Sequence, residues 1–519
     1  MRPSKRIRRL LGSATKLFSR DRAKQRLVEV IRQSNLFDDA YYTASNPDVA
    51  ASGIDPALHF LRHGWKEGRK PSPGFDPVFY LRQYPDVAAT GGNPLLHFAR
   101  LGRAEGRHPL PEGGAGYALR QDKVTIASAR SLIRAQQANW APLPVFADHL
   151  APPTVTILTD SVVPEWLFGG VGTAMVVGAM AAKQMGARLR LAARHYPPDP
   201  GALGQVLKAH QIKWEGATDF VHIPLGGEKP LPLGDKDVVL TTSWWTTRAA
   251  LGSIPTSQIL YLLQEDERLF YPFGDERLCC EETLAEPSVR VLINTKMLFD
   301  YFADGSHSLP RLKERGDWFE PAFPAIPRPV KRESDRSGKG NFFFYARPNS
   351  HRNIYWRGLE AIDDAMRKGI LAPEDWNVHF VGRGLPDMEL PGGVRPVVSY
   401  GLLWSDYAKL VSTMDLGLCL QYTPHPSYPP LDLAAAGAVV VTNTHGSKLS
   451  LEQWSRNIIA VPPRVPTLVE GLRKGVLLSR DIERRTANSV SNRIPRDWEP
   501  ELRPALERVL GKGCKNRCS

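Results

Sequence analysis

From Thr154 onward the chain alternates short, mostly apolar runs with segments of helical periodicity, and nothing else in the sequence limits its fold so tightly. The runs are 154–159 (TVTILT), 188–193 (RLRLAA), 237–242 (DVVLTT), 259–263 (ILYLL) and 289–294 (VRVLIN). Strands buried on both faces have this character, and such strands belong to parallel sheets covered by helices. A Pro-rich and then polar stretch, Pro321 to Gly340, has the composition of an interdomain linker. The alternation then restarts at 342–346 (FFFYA), 376–381 (WNVHFV), 394–398 (VRPVV), 415–420 (DLGLCL), 438–442 (AVVVT) and 457–461 (NIIAV). Two successive α/β domains, 154–330 and 341–480, are therefore expected, each a Rossmann-like, doubly wound sheet. They face a cleft in which ligands meet the carboxyl ends of the strands. A C-terminal helix and tail are expected at 481–519.

Residues 35–110 hold two copies of a 38-residue unit, Phe37 to Arg69 and Phe75 to Arg107. Matching pairs include Phe37/Phe75, Tyr42/Tyr80, Pro47/Pro85, Asp48/Asp86, His59/His97, Phe60/Phe98 and Gly64/Gly102. Each unit has the pattern of short helices punctuated by Pro and Gly around an aromatic face. A unit this small must stack on its neighbour to close a core. The repeated histidines have no carboxylate or thiol at ligand spacing, which favours packing or capping over metal binding. Residues 111–153 form a linker that ends in a second Pro-rich piece, Pro142 to Pro153.

Composition excludes other classes. With 42% hydrophobic and 23% charged residues the chain is neither disordered, collagenous nor a coiled coil. Five cysteines without a CxxC pair give no disulfide framework and no structural zinc, so a reducing, cytoplasmic setting is expected. No apolar stretch reaches membrane-spanning length, and the N-terminus lacks a secretory apolar core. The net charge of +13 is concentrated in residues 1–26, which carry ten basic side chains against Asp21 alone. Within segment 1–34, Leu10, Leu11, Leu17 and Phe18 fall at helical spacing among those charges. The pattern suits either an amphipathic helix on an anionic membrane or a solvated tail. Nucleic acid is not an expected partner, because no base-reading fold stands behind the charge.

Several strand-end segments carry candidate chemistry. Gln421 to Tyr428 leads into Pro429-Pro430-Leu431-Asp432, which puts a helix start at the cleft edge, where free N–H groups suit a diphosphate. Asp432, one turn in, can accept bonds from sugar hydroxyls or simply complement the helix dipole. Arg347 and Arg352 follow the run at 342–346, and guanidinium groups make charge-assisted bonds to phosphate. Phe168-Gly169-Gly170-Val171-Gly172 opens a helix, where glycine lets a ligand approach the backbone, though not in the GxGxxG spacing of dinucleotide sites. Trp244 and Trp245, and Gln264, Glu265 and Asp266 with Tyr271, combine acids and aromatics in a way that suits an acceptor sugar. The competing reading puts the tryptophans in the core and the acids in a solvated loop.

Together these stretches resemble the retaining, GT-B-fold rhamnosyltransferases of the WsaF type. The resemblance is carried by Phe168 to Val171, Ser243 to Thr246, Gln264 to Pro272, Asn294-Thr295, Ala346-Arg347-Pro348 with Arg352-Asn353, Pro424 to Asp432, and Val441-Thr442-Asn443. It implies transfer of a sugar, L-rhamnose from dTDP-L-rhamnose, onto a growing bacterial surface polysaccharide or lipid-linked glycan, with neither metal nor other cofactor. Arg347 and Arg352 would hold the diphosphate and act in catalysis, and Asp432 would contact the nucleotide's sugar. Asn353, His425, Ser427, Tyr428 and Gly170 would complete the donor site. The wider GT-B group has two glutamates eight residues apart where this chain has Pro424 and Asp432. An epimerase on the same fold, or a noncatalytic carbohydrate-binding scaffold, is the alternative function.

Overall fold

The computed structural model describes residues 27–84, 87–88, 92–103, 107–110, 128–162, 169–227, 229–305, 307–324, 326 and 338–511. The basic segment 1–26, Phe168, and parts of both linkers lie outside the described residues, as do Cys514 and Cys518.

The first α/β domain holds seven parallel strands: β1 (Thr154–Thr159), β2 (Arg188–Ala193), β3 (Thr218–His222), β4 (Val238–Thr241), β5 (Ile259–Leu263), β6 (Arg290–Asn294) and β7 (Gly316–Phe319). Their order across the sheet is β3-β2-β1-β4-β5-β6-β7. The second domain holds β8 (Gly340–Tyr345), β9 (Trp376–Val381), β10 (Val397–Ser399), β11 (Leu416–Leu418), β12 (Val439–Asn443) and β13 (Ile458–Val461), ordered β10-β9-β8-β11-β12-β13. Each order reverses direction beside its own first strand, between β1 and β4 and between β8 and β11. This is the Rossmann-like switch point, where neighbouring crossovers part and leave a crevice.

The apolar runs form the central strands. All six residues of β1 and all five of β5 are buried. Helix α1 (Gly170–Met185) lies close on β1, and Gly178 permits it, since a Cβ there would stand 2.4 Å from Ile157 Cδ1. Three structural features depart from expectation. The edge strands β3 and β7 carry no continuous apolar run, and a short parallel pair, Val145–Ala147 with Leu231–Leu233, lies outside the expected strands. The start of the 321–340 linker is not a solvated spacer, because Ala322, Phe323 and Ile326 are buried, the last two in the core of the second domain. Finally, α6 (Trp498–Leu510) is no appended tail. Trp498, Leu502, Ala505 and Leu506 join Val155, Leu240 and Leu292 in the core of the first domain.

The repeat region forms a separate compact unit with its own core of Tyr42, Phe60, Phe75, Tyr80, Leu95 and Phe98. Its two units carry the same bonds 38 residues apart. Tyr42 and Tyr80 hydroxyls meet His59 and His97 Nδ1, each at 3.1 Å. Asp38 and Asp76 N–H groups donate to Pro71 and Pro109 carbonyls, each at 3.1 Å, so the start of one unit is tied to the end of the same unit's tail.

Candidate functional site

The loops after β8, β11 and β12 leave the same edge of the second sheet, because those strands are neighbours. Their backbones are tied together. Tyr422 N–H donates to Arg352 O at 2.6 Å, Asn353 Nδ2 donates to Leu420 O at 3.0 Å, and Gln421 N–H donates to Asn443 Oδ1 at 2.7 Å. Lys448, on the loop after β12, is buried and donates to the carbonyls of Gln421 at 2.6 Å and His425 at 3.3 Å. It pins the loop on which His425 sits.

The first domain meets this edge through Glu265, just past β5. Glu265 Oε2 accepts from Gln421 Nε2 at 2.6 Å and Thr423 Oγ1 at 3.0 Å, and lies 3.9 Å from Arg352 Nη1. Arg352 also stacks on Phe270 of the first domain, 4.5 Å from the ring centre. Burial pushes the Glu265 carboxyl upward, opposed by Arg352, Thr423 and Lys448. Burial and the two nearby cations hold His425 down at about 3, so its imidazole is neutral. Its Nδ1 accepts Ser427 N–H at 3.0 Å, which leaves the proton on Nε2. That Nε2–H is buried without a partner among the described residues. Burial lowers Lys448 to about 7, with Glu265 acting against the shift.

A second pair of interdomain contacts uses Tyr428. Its hydroxyl accepts from Asn294 Nδ2 at 2.6 Å and meets Thr173 Oγ1 at 2.7 Å. Tyr428 thus bridges the domains with its polar group engaged. Helix α4 (Tyr428–Ala435) begins there, but Pro429 and Pro430 remove two of its first N–H donors, so the helix start offers a diphosphate fewer bonds than a helix N-terminus usually does. Asp432 is buried, accepts from Tyr407 at 2.9 Å through Oδ2, and is pushed up to about 7 by burial. Among the described residues its Oδ1 has no partner, and neither have Asn353 Oδ1 and Asn294 Oδ1.

The remaining candidates divide. Arg347 is exposed and bonded to the Tyr345 hydroxyl at 3.3 Å, so the two arginines are not equivalent. Gly170 starts α1, and its carbonyl accepts from Gln264 Nε2 at 2.9 Å, which brings that pair to the domain junction. The acceptor-side acids and aromatics are mostly spent on the fold. Asp266 binds Arg268 at 2.7 Å and Tyr301 at 2.9 Å. Glu267 accepts the Trp244 backbone N–H at 2.7 Å, at the start of α2 (Trp244–Leu251), whose cap is Ser243 in a capping box with Thr246. Trp244 is buried, not exposed for a sugar, with its Nε1 on the Tyr271 hydroxyl at 3.0 Å. Trp245 is partly exposed and reaches Asp160. Lys448 and Asp160 carried no motif of their own in the sequence: Asp160 follows β1 at the switch point of the first sheet, and Lys448 follows β12, one strand further out than β11.

Residues 154–296 match the model of the WsaF N-terminal domain, and residues 340–473 match that of the WsaF C-terminal domain. The chain carries both WsaF domains, in order. The WsaF N-terminal domain supplies Glu265, Asn294 and Gly170, and the WsaF C-terminal domain supplies Arg352, His425 and Lys448. Their two Rossmann-like sheets make the GT-B arrangement. The chain is 28% identical over 306 residues to the O-antigen biosynthesis protein RfbC of Myxococcus xanthus, a match covering 57% of this chain and 22% of that protein. The chain thus spans about a fifth of the relative's length. Among solved structures it is similar to an UDP-forming α,α-trehalose-phosphate synthase from Burkholderia xenovorans (TM-score 0.45, 11% identity, 69% of this chain and 98% of that one). It is also similar to WaaG, a glycosyltransferase involved in lipopolysaccharide biosynthesis (TM-score 0.44, 14% identity, 69% and 100%).

Proposed function

We propose that the chain is a glycosyltransferase that moves L-rhamnose from dTDP-L-rhamnose, with retention, onto a growing bacterial surface polysaccharide. The observation that carries this reading is the group formed by Arg352, Lys448 and the unpartnered Nε2–H of His425 beside Glu265. Two cations and an unused donor at one domain junction suit a diphosphate. The two WsaF domains and the likeness to an O-antigen biosynthesis protein support a transferase of surface glycans over the epimerase and scaffold readings.

As the bond from the anomeric carbon to the diphosphate breaks, negative charge grows on the leaving oxygen. Arg352 and His425 Nε2–H stabilise that charge, and Lys448 keeps the His425 loop in place while adding its own positive field. The protein's cations carry out this neutralisation without a metal. Asp432 Oδ1 takes a hydroxyl of the deoxyribose. Retention proceeds by front-face attack of the acceptor hydroxyl, which bonds to the anomeric carbon as the bond to the diphosphate breaks and gives its proton to the departing diphosphate oxygen, with no protein nucleophile. The basic N-terminal segment holds the enzyme on the inner face of the cytoplasmic membrane, and deleting residues 1–32 is expected to abolish binding to anionic vesicles.

Calorimetry with dTDP and a transfer assay with dTDP-L-rhamnose test the reading. Wild-type protein is expected to bind dTDP, and Arg352→Ala to lose both binding and transfer. No binding of dTDP, or full transfer by R352A, overturns it.

A further inference from the structure

Three neighbouring strands of the first sheet, β2, β1 and β4, end at one spot, and a second polar cluster stands there. Asp160 follows β1, His195 follows β2, and Trp245 lies in the first turn of α2 after β4. Trp245 Nε1 is 2.8 Å from both carboxylate oxygens of Asp160, and His195 Nε2 is 3.8 Å from Oδ1. The His195 backbone N–H donates to Asp160 O at 2.8 Å, which fixes the two loops together.

This carboxylate has little to do for the fold. Its two oxygens share a single indole N–H, although a carboxylate offers about four acceptor sites. Among the described residues its one ion-pair contact is His195. The adjacent Arg194 spends its hydrogen bonds on the carbonyls of Asn139 and Ala138 and reaches Asp160 through its charge alone. Asp160 keeps 32% of its side chain exposed and His195 38%, so both open to solvent. Asp266 and Glu267, by contrast, are buried and bonded. Asp160 follows β1, the strand at the switch point of the first sheet, so the cluster stands at the carboxyl end of that sheet, as Glu265 does.

Resting on the transferase reading above, we propose that Asp160, His195 and Trp245 form the subsite that holds the acceptor glycan. Asp160 accepts bonds from sugar hydroxyls, His195 adds a further bond, and the partly exposed Trp245 indole covers an apolar sugar face. Two side chains with hydrogen-bonding capacity beside an aromatic plane match a polyhydroxylated ring better than a phosphate, which the carboxylate would repel. The acceptor contacts expected from sequence at Asp266 and Trp244 are thus moved one strand end across, to residues with acceptor capacity left over.

Saturation-transfer NMR on the full chain, with methyl α-L-rhamnopyranoside and methyl α-D-glucopyranoside as probes at about 20 mM, tests the assignment, since single sugars bind weakly. Wild-type protein is expected to saturate at least one probe. Asp160→Asn, which still offers Trp245 an acceptor oxygen, is expected to weaken that binding about tenfold, the usual scale for losing a charged acceptor. His195→Gln is expected to weaken it about threefold. Affinity for dTDP, measured on the same samples, is expected to stay unchanged. No saturation of either probe by wild-type protein, or undiminished binding by D160N, overturns the subsite. A D160N protein that also loses dTDP assigns Asp160 to the fold and overturns it equally. Failure of wild-type protein to bind dTDP breaks the transferase reading instead, whatever the glycosides do.

Discussion

The loop after β5 and the loop after β11 both leave the carboxyl ends of their sheets, yet they use their polar groups in opposite ways. Residues 265–267 form the most acidic stretch at any strand end, and most of its hydrogen-bonding capacity is internally satisfied: Asp266 by Arg268 and Tyr301, Glu267 by the start of α2. The loop from Gln421 to Ser427 carries no acid at all, yet it holds an unpartnered imidazole N–H, and Asp432 shortly after holds an unpartnered oxygen. A buried polar atom without a partner costs about 1–3 kcal/mol, so a fold keeps one where something else compensates it. Leftover hydrogen-bonding capacity marks a site better than charge density does.

The largest test of this contrast compares the two arginines. Arg352 reaches across to Glu265 and Phe270, whereas Arg347 reaches only Tyr345 on its own strand. Arg352→Ala is expected to lower the transfer rate about 100-fold or more, the scale of about 3 kcal/mol for one preorganised charge-stabilising donor. Arg347→Ala is expected to cost less than about tenfold. Equal losses in a steady-state transfer assay would erase the distinction. Next in size is Glu267→Ala. It removes the acceptor of the buried Trp244 N–H at the start of α2 and leaves that N–H unpaired, for an expected loss of about 2 kcal/mol in denaturant unfolding. Its KM for the donor is expected to remain unchanged, which separates a fold acid from a site residue.

The same two loops give opposite pH dependences. Burial raises Glu267 to about 8 from an ordinary 4.5, so the fold prefers the neutral acid. Its contribution is complete below about 4.5 and is lost as pH rises toward 8. His425, lowered to about 3 from 6.5, is also kept neutral. Its contribution is complete above about 6.5 and is lost as pH falls toward 3. Thermal unfolding is expected to show E267Q flattening the alkaline arm and His425→Asn the acid arm. Exchanged assignments would mean that neither group is held as the structure places it.

Central strands were legible from sequence: β1, β2, β5 and β9 match their expected limits residue for residue, and in β1 and β5 burial on both faces writes itself as a mostly apolar run. The edge strands β3 and β7 were not, since Thr218–His222 is only half-buried and has no such run. Arg352 was legible as a strand-end cation. Lys448 was hidden, because its role depends on β11 and β12 being neighbours, and adjacency in a sheet is not written in any one segment. The run Gln264 to Glu267 misled for the converse reason. Its acids were visible, while the Arg268 side chain and the Trp244 N–H that satisfy them come from the folded arrangement.

The smallest effects are expected in the repeat unit, where two copies of one design allow an internal control. Gly64 and Gly102 face the hydroxyls of Tyr42 and Tyr80, and a Cβ would stand 1.8 and 2.0 Å from those oxygens. An alanine at either position must push the tyrosine off its histidine, with an expected cost of about 1–3 kcal/mol from overpacking. Tyr42→Phe removes only the bond to His59 and is expected to cost about 1 kcal/mol. If the aromatic face rather than the hydroxyl sets the packing, G64A in a Y42F background loses its clash and most of its penalty, because the two residues share one contact and their effects cannot add. Amide exchange across residues 37–69 measures each step, and a G64A penalty that stays whole without the hydroxyl would show that the glycine serves the backbone instead.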